Sequence, residues 1–233
     1  MLAGLFDPMY LLLVMLPGML ISGAASLMVR SAYNKYSRVR SRRGYSGAQA
    51  AQALMDHAGI HDVEIVQTEG YLSDHYNPQN RTLALSRGVY SSQSLAAIGI
   101  ACHEAGHAIQ HASGYLPLGL RSALVPLAGI GSKLGYFVML IGLFMRSQPM
   151  VGIGVVVFGG VLLFQLVTLP VEFDATARAK KLAVEAGIVY AEERHGIDSV
   201  LNAAARTYVA AVITTLLTML YFLVRSGLLG GRR

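Results

Sequence analysis

"GIACHEAGHAIQHASG", residues 99–114, decides how the rest of the chain is read. His103 and His107 stand four apart with Glu104 directly after the first. On an α-helix, side chains at i and i+4 share one face, so these two imidazoles can bind one zinc ion. Glu104 falls about a quarter turn away, near the ion without having to ligate it, where it can take a proton from an activated water. Ile98, Ala101, Ala105, Ile109 and Ala112 form the opposite stripe. The spacing therefore predicts a helix from about 94 to 112 that packs through this stripe and turns its histidines away from the core.

Such a pair needs a third ligand. His111 lies about 12 Å along the axis from His103 at 1.5 Å per residue, too far to close on the same ion. A third histidine ten residues after the first would fall on Ser113, which excludes the metzincin arrangement. The better candidate is in "LPVEFDATARAKKLAVEAG", 169–187, read as a helix with Pro170 in its first turn and Gly187 as its stop. On a helical wheel Asp174, Arg178, Lys181 and Glu185 make one charged face, expected in solvent. Glu172 shares the other side with Ala175, Ala179, Ala183 and Ala186. A carboxylate on a small apolar face is costly to bury alone, and a metal ion would offset that cost. A salt bridge or a frayed helix end is the bland alternative, and Asp174 is the weaker ligand candidate.

The surroundings are apolar. Hydrophobic residues make up 54% of 233, charged residues 14%, and the mean hydropathy is +0.48. A soluble domain carries about 25% charged residues, so the deficit points to lipid. The net charge of +6 does not mark a nucleic-acid partner, because the basic residues cluster beside apolar runs, as membrane topology demands. The single cysteine, Cys102, excludes an internal disulfide and reads as a small buried filler.

Residues 9–29 are long enough to span a bilayer. A cleaved signal peptide is the alternative reading. The charges argue against it: Asp7 precedes the run, and Arg30, Lys35, Arg38, Arg40, Arg42 and Arg43 follow it. This fits an anchor with the basic side in the cytoplasm. A second block, 122–171, is interrupted by "RSQP" at 146–149 and reads as a membrane hairpin. Lys133 within it is expected to snorkel rather than to line a path. The last span is 208–224, and the terminal "GRR" is a mild exception to the charge pattern. An even number of crossings between His107 and Glu172 returns both to one membrane face, expected to be cytoplasmic.

Between the spans, 46–59 reads as a helix with Ser46 as N-cap and Gly59 as stop. Residues 63–68 and 81–86 alternate like strands, and 69–80 is turn-rich. The "TLALS" strand, at a sheet edge, could hold an extended peptide. Residues 34–47 read as a mobile basic loop. Asp74 and His75 could lie near the cleft, but local hydrogen bonds in a turn before Pro78 are the favoured role. His57, His61 and His195 read as surface residues. Asn202 or Tyr208 could stabilise an oxyanion, interface anchoring being the competing role for Tyr208.

The stretches "GYLSDHYNPQNRTLALS", "SLAAIGIACHEAGHAIQH", "LPVEFDATARAKKLA" and "VLNAAARTYVAA" resemble the YugP-type family of membrane zinc metallopeptidases. The plan is also similar to HtpX-type and CAAX-prenyl-protease-type integral membrane proteases, in which a zinc-binding helix, a hairpin and a glutamate-bearing helix follow in this order. The resemblance implies a Zn2+ cofactor held by His103, His107 and Glu172, with Glu104 as catalytic glutamate. HtpX-type chains carry Asp four residues after the ligand glutamate, where this chain has Thr176.

The expected fold is a mainly α integral membrane protein: a four-helix transmembrane bundle with a minimal zincin-like α+β metallopeptidase lobe. The expected organisation is an anchor at 1–29, a cytoplasmic lobe at 30–120 and a hairpin at 121–171, then the Glu172 helices at 172–206 and a last transmembrane helix at 207–233. The expected function is a zinc-dependent endopeptidase acting on a protein or peptide, with membrane proteins among the candidates. A non-proteolytic zinc scaffold and a small transporter are the alternatives; the base at 104 argues against the first, and the shortage of intramembrane polar groups against the second.

Overall fold

Ser46 accepts a hydrogen bond from the Gln49 amide while the Gln49 side chain returns one to the Ser46 amide. This reciprocal cap starts a helix where the sequence places one, because it satisfies two of the donors that a helix N-terminus leaves open. The computed structural model describes residues 7–230; the "GRR" at 231–233 lies outside the described residues. Its elements are α1 (Pro8–Tyr36), α2 (Gly47–His57), β1 (Glu64–Thr68), β2 (His75–Asn77), β3 (Thr82–Ser86) and the short α3 (Arg87–Tyr90). They continue with α4 (Leu95–Ala112), α5 (Leu116–Phe144), α6 (Gln148–Glu185) and α7 (Arg194–Arg225). The protein is mainly helical, and α1, α5, α6 and α7 are each long and apolar enough to cross a membrane, as a multi-pass membrane protein requires.

The chain divides into two compact units. The first comprises described residues 7–25, Leu120–Leu169 and 207–230. Its hairpin helices meet through glycines. A Cβ at Gly135 would lie 2.6 Å from the Phe158 amide, and one at Gly154 would lie 2.6 Å from the Met139 amide. In lipid there is little hydrophobic drive between helices, so close backbone approach through small residues supplies the packing. Tyr136, Phe158, Tyr221 and Phe222 add an aromatic cluster. Arg146 takes a left-handed conformation that ends α5 before α6 begins, and Lys133 is exposed on α5.

The second unit, Ser26–Gly119 with Pro170–Arg206, has its own core. Helices α2, α4, the 170–185 portion of α6 and the start of α7 supply most of it, largely through alanine. Ala96, Ala101, Ala105, Ala175, Ala179 and Ala183 have essentially no exposed surface. The sheet has the order β1-β3-β2, with β1 parallel and β2 antiparallel to β3.

Several expectations are corrected here. The "TLALS" strand is central, with Leu83 and Leu85 fully buried, so its backbone pairs on both sides and it offers no edge. The turn-rich stretch supplies the edge strand β2, paired to β3 through its backbone despite its turn-forming residues. Pro170 does not open a helix but sits inside α6, which runs unbroken from Gln148. Proline costs a helix one N–H, a loss that membrane-spanning helices tolerate. Residues 34–47 are not a loose loop. Arg40 bridges Ser94, the Ser41 amide bonds the Gln93 carbonyl, and the Arg42 amide bonds Glu193. The Arg43 guanidinium lies 4.3 Å from the centre of the Tyr190 ring.

Candidate metal centre

Ser94 caps α4 by accepting from the Ala97 amide, and the helix then runs through both histidines to Ala112. Its histidine face, on the side away from the apolar stripe, is covered by α6. A Cβ at Gly106 would stand 2.8 Å from the Ala175 carbonyl oxygen, so α4 and α6 touch through backbone on that side. The helix is buried on nearly all sides, and His107 is only 7% exposed. A wheel drawn for one helix cannot show that a second helix covers its polar face.

The contact brings Glu172 to the pair. Its Oε2 is 3.2 Å from Nε2 of His103 and 3.7 Å from Nε2 of His107. The candidate ligand atoms of the three residues lie within 4.8 Å of one another. A tetrahedral ion with bonds near 2 Å sets its donors about 3.3 Å apart. The two distances to Glu172 are close to that value, and the three side chains form a group that could hold one such ion. Glu172 is 2% exposed, as its alanine neighbours imply, and a carboxylate so buried needs compensating positive charge. For His107, burial opposes protonation. The Glu172 hydrogen bond and the carboxylates of Glu104 and Glu172 outweigh it and hold its pKa above the ordinary value.

Glu104 is not one of the three converging side chains, although its charge acts on His107. Its Oε2 accepts the Tyr76 amide hydrogen at 3.1 Å, so β2 fixes the carboxylate from the strand side. Tyr76 also places its hydroxyl 2.8 Å from Nδ1 of His111, which accounts for the histidine too far along α4 to join the other two. Burial raises the Tyr76 phenol above its usual pKa. Cys102, beside His103, is fully buried, and burial pushes its thiol up to about 12, consistent with a filler.

The other nitrogens of the two imidazoles are also held. The Thr176 hydroxyl lies 3.3 Å from Nδ1 of His103, and the Gln110 amide oxygen lies 2.9 Å from Nδ1 of His107. Gln110 is fully buried and donates to the Val171 carbonyl and to Asp174, each at 2.8 Å. Sequence reasoning missed Gln110, although a polar residue at i+3 from His107 on an apolar helix was a usable signal. The helical wheel puts Asp174 on a solvated face. It is instead part-buried, meeting Gln110 and Arg178, because α4 packs over that side of α6.

The remaining candidates are placed elsewhere. Asp74 does not close a local turn; it accepts from the amide and hydroxyl of Ser86, twelve residues on, and ties the loop before β2 to the end of β3. His75 bonds the nearby Ser73 carbonyl at 2.9 Å. Asn202 is exposed and accepts from Lys180. His57, His61 and His195 are exposed.

Residues 11–227 match the family model described as "Putative neutral zinc metallopeptidase". The chain is also 40% identical over 200 residues to a Bacillus subtilis (strain 168) protein described as "Putative membrane protease YugP". That match covers 86% of this chain and 89% of the relative. No solved structure matches the chain. With a His-His-Glu cluster and four membrane-length helices as well, the chain belongs to this family of membrane zinc metallopeptidases.

Proposed function

We propose that the protein is an endopeptidase whose zinc is held by His103, His107 and Glu172 and whose general base is Glu104. The observation that carries this reading is the convergence of two imidazole Nε2 atoms on one buried carboxylate, with a second carboxylate close by and left out of the cluster. The donor set fits zinc: two neutral nitrogens and one oxygen leave a coordination position open, as catalytic sites do and structural sites do not. Bound there, the ion supplies the Lewis acidity that activates a water molecule for attack on a peptide carbonyl. Glu104 takes the proton from that water on its carboxylate and passes it to the leaving amine. The Tyr76 amide holds one oxygen of that carboxylate from the strand side. The Thr176 and Gln110 side chains keep the imidazoles from rotating out of register.

The substrate on this reading is a protein or peptide that reaches the membrane surface. Residues 30–120 and 172–206 make up the catalytic lobe, on the cytoplasmic face. The six cations between Arg30 and Arg43, with no acidic residue among them, support that orientation. A reporter fused in the 146–149 turn should then behave as external, and one fused in 37–44 as cytoplasmic.

The test is a proteolysis assay on the purified protein, zinc-loaded or chelated, with Glu104→Gln beside the wild type. Loss of cleavage with full zinc content is the expected result. Zinc binding without cleavage by either form would favour the scaffold instead, in which the same cluster serves stability alone.

A further inference from the structure

We propose that Asp174 positions the His107 imidazole for metal binding by dictating which end of the Gln110 amide faces it. The inference rests on the reading of His107 as a ligand and extends it to a residue that touches neither the cluster nor a substrate.

A glutamine amide has one accepting end and one donating end of nearly equal size, and sterics alone scarcely distinguish them. Here the neighbours do. The nitrogen end of Gln110 faces two acceptors, the Val171 carbonyl and the Asp174 carboxylate, both at 2.8 Å. Only an NH2 group can serve both. The oxygen end must therefore face Nδ1 of His107, 2.9 Å away. An acceptor there requires the hydrogen on Nδ1, and that leaves the Nε2 lone pair, 3.7 Å from Glu172, for a metal.

Asp174 is itself fixed. Arg178 donates to the same carboxylate oxygen at 2.6 Å, and its guanidinium carbon lies 5.8 Å from the centre of the Tyr115 ring. Remove the Asp174 carboxylate, and one of the two acceptors that orient the amide is gone. A flipped amide would present NH2 to Nδ1, force the hydrogen to Nε2 and withdraw the lone pair the ion needs. Gln110 itself is fully buried, so an amide left with one acceptor in place of two is held less firmly in this orientation. The bland alternative is that Asp174 and Arg178 form an ordinary i,i+4 surface pair, which would leave metal binding unchanged.

The experiment measures zinc dissociation constants of the full detergent-solubilised chain by competition with a chromogenic chelator. Asp174→Ala and Gln110→Ala should each weaken zinc binding by about 10–100-fold, the usual cost of losing a residue that orients a ligand. The double variant should bind no more weakly than Gln110→Ala alone, because Asp174 acts only through the amide. The visible spectrum of the cobalt-substituted Asp174→Ala protein should shift from that of the wild type, a change that simple loss of stability would not produce. Wild-type affinity in Asp174→Ala, or an effect that adds fully to that of Gln110→Ala, overturns the proposal. Asp174 is part-exposed, so this variant avoids the folding risk of opening a cavity at Gln110. A His107→Ala control that still binds zinc like the wild type would instead remove the ligand reading underneath.

Discussion

The Thr176 hydroxyl stands 3.3 Å from Nδ1 of His103, one helical turn beyond Glu172 on α6. The HtpX-type plan leads one to expect an aspartate at that place, and this chain has none there. Here a neutral hydroxyl does the orienting, so the imidazole is held without added negative charge. Thr176→Val should weaken zinc binding about tenfold, whereas Thr176→Ser should keep it near the wild-type value. Chelator competition on the purified variants decides the matter. Equal affinity in both would show that the hydroxyl holds nothing.

Gly106 and Ala175 set the separation of the helices that carry the histidine pair and Glu172. A methyl group at 106 would meet the Ala175 carbonyl at 2.8 Å, and backbone cannot swing aside as a side chain can. Gly106→Ala should therefore cost about 1–3 kcal/mol of stability, the usual range for overpacking. It should also loosen zinc binding, because His107 is the next residue along α4. Denaturation and metal titration would be run together; an unchanged melting temperature would mean that the helices part without cost.

The capping box at Ser46 is structural and lies away from the cluster. Ser46→Ala should lower stability by about 0.5–2 kcal/mol and leave zinc affinity unchanged. Thermal unfolding in detergent, with and without zinc, reads both effects. A matching fall in zinc affinity would show that α2 takes part in building the site.

Cys102 gives a prediction with a defined sign in pH. Alkylation needs the thiolate, and burial pushes this thiol up to about 12, so it stays protonated through neutral and mildly alkaline pH. The folded protein should resist iodoacetamide at pH 8 and react promptly once denatured. Rapid labelling of the native protein would contradict the packing described for α4.

Much of this was legible from residues alone, wherever a local rule sufficed. The spans follow from apolar runs of sufficient length, the helix at 47–57 from its cap, and Gly59 and Gly187 from the positive φ that a helix stop requires. Glu172 was legible as a candidate for a similar reason, since a carboxylate among alanines on one helical face is a local anomaly that demands a partner. Readings failed where the answer depended on what lay across from a residue. The 82–86 strand shows its alternation but not its neighbours, so its central place was invisible. Asp174 shows its charge but not the glutamine aimed at it from another helix.

By itself, then, the sequence determined the apolar spans, the paired histidines with their adjacent glutamate, and the carboxylate out of place among alanines, because periodicity and hydropathy act along the chain. Only the tertiary structure decided which nitrogen of each imidazole faces Glu172, which side chains hold the other nitrogens, and which strand lies beside Glu104. Those depend on two helices meeting backbone to backbone at Gly106, and a contact between residues nearly 70 positions apart leaves no periodic trace in the chain that makes it.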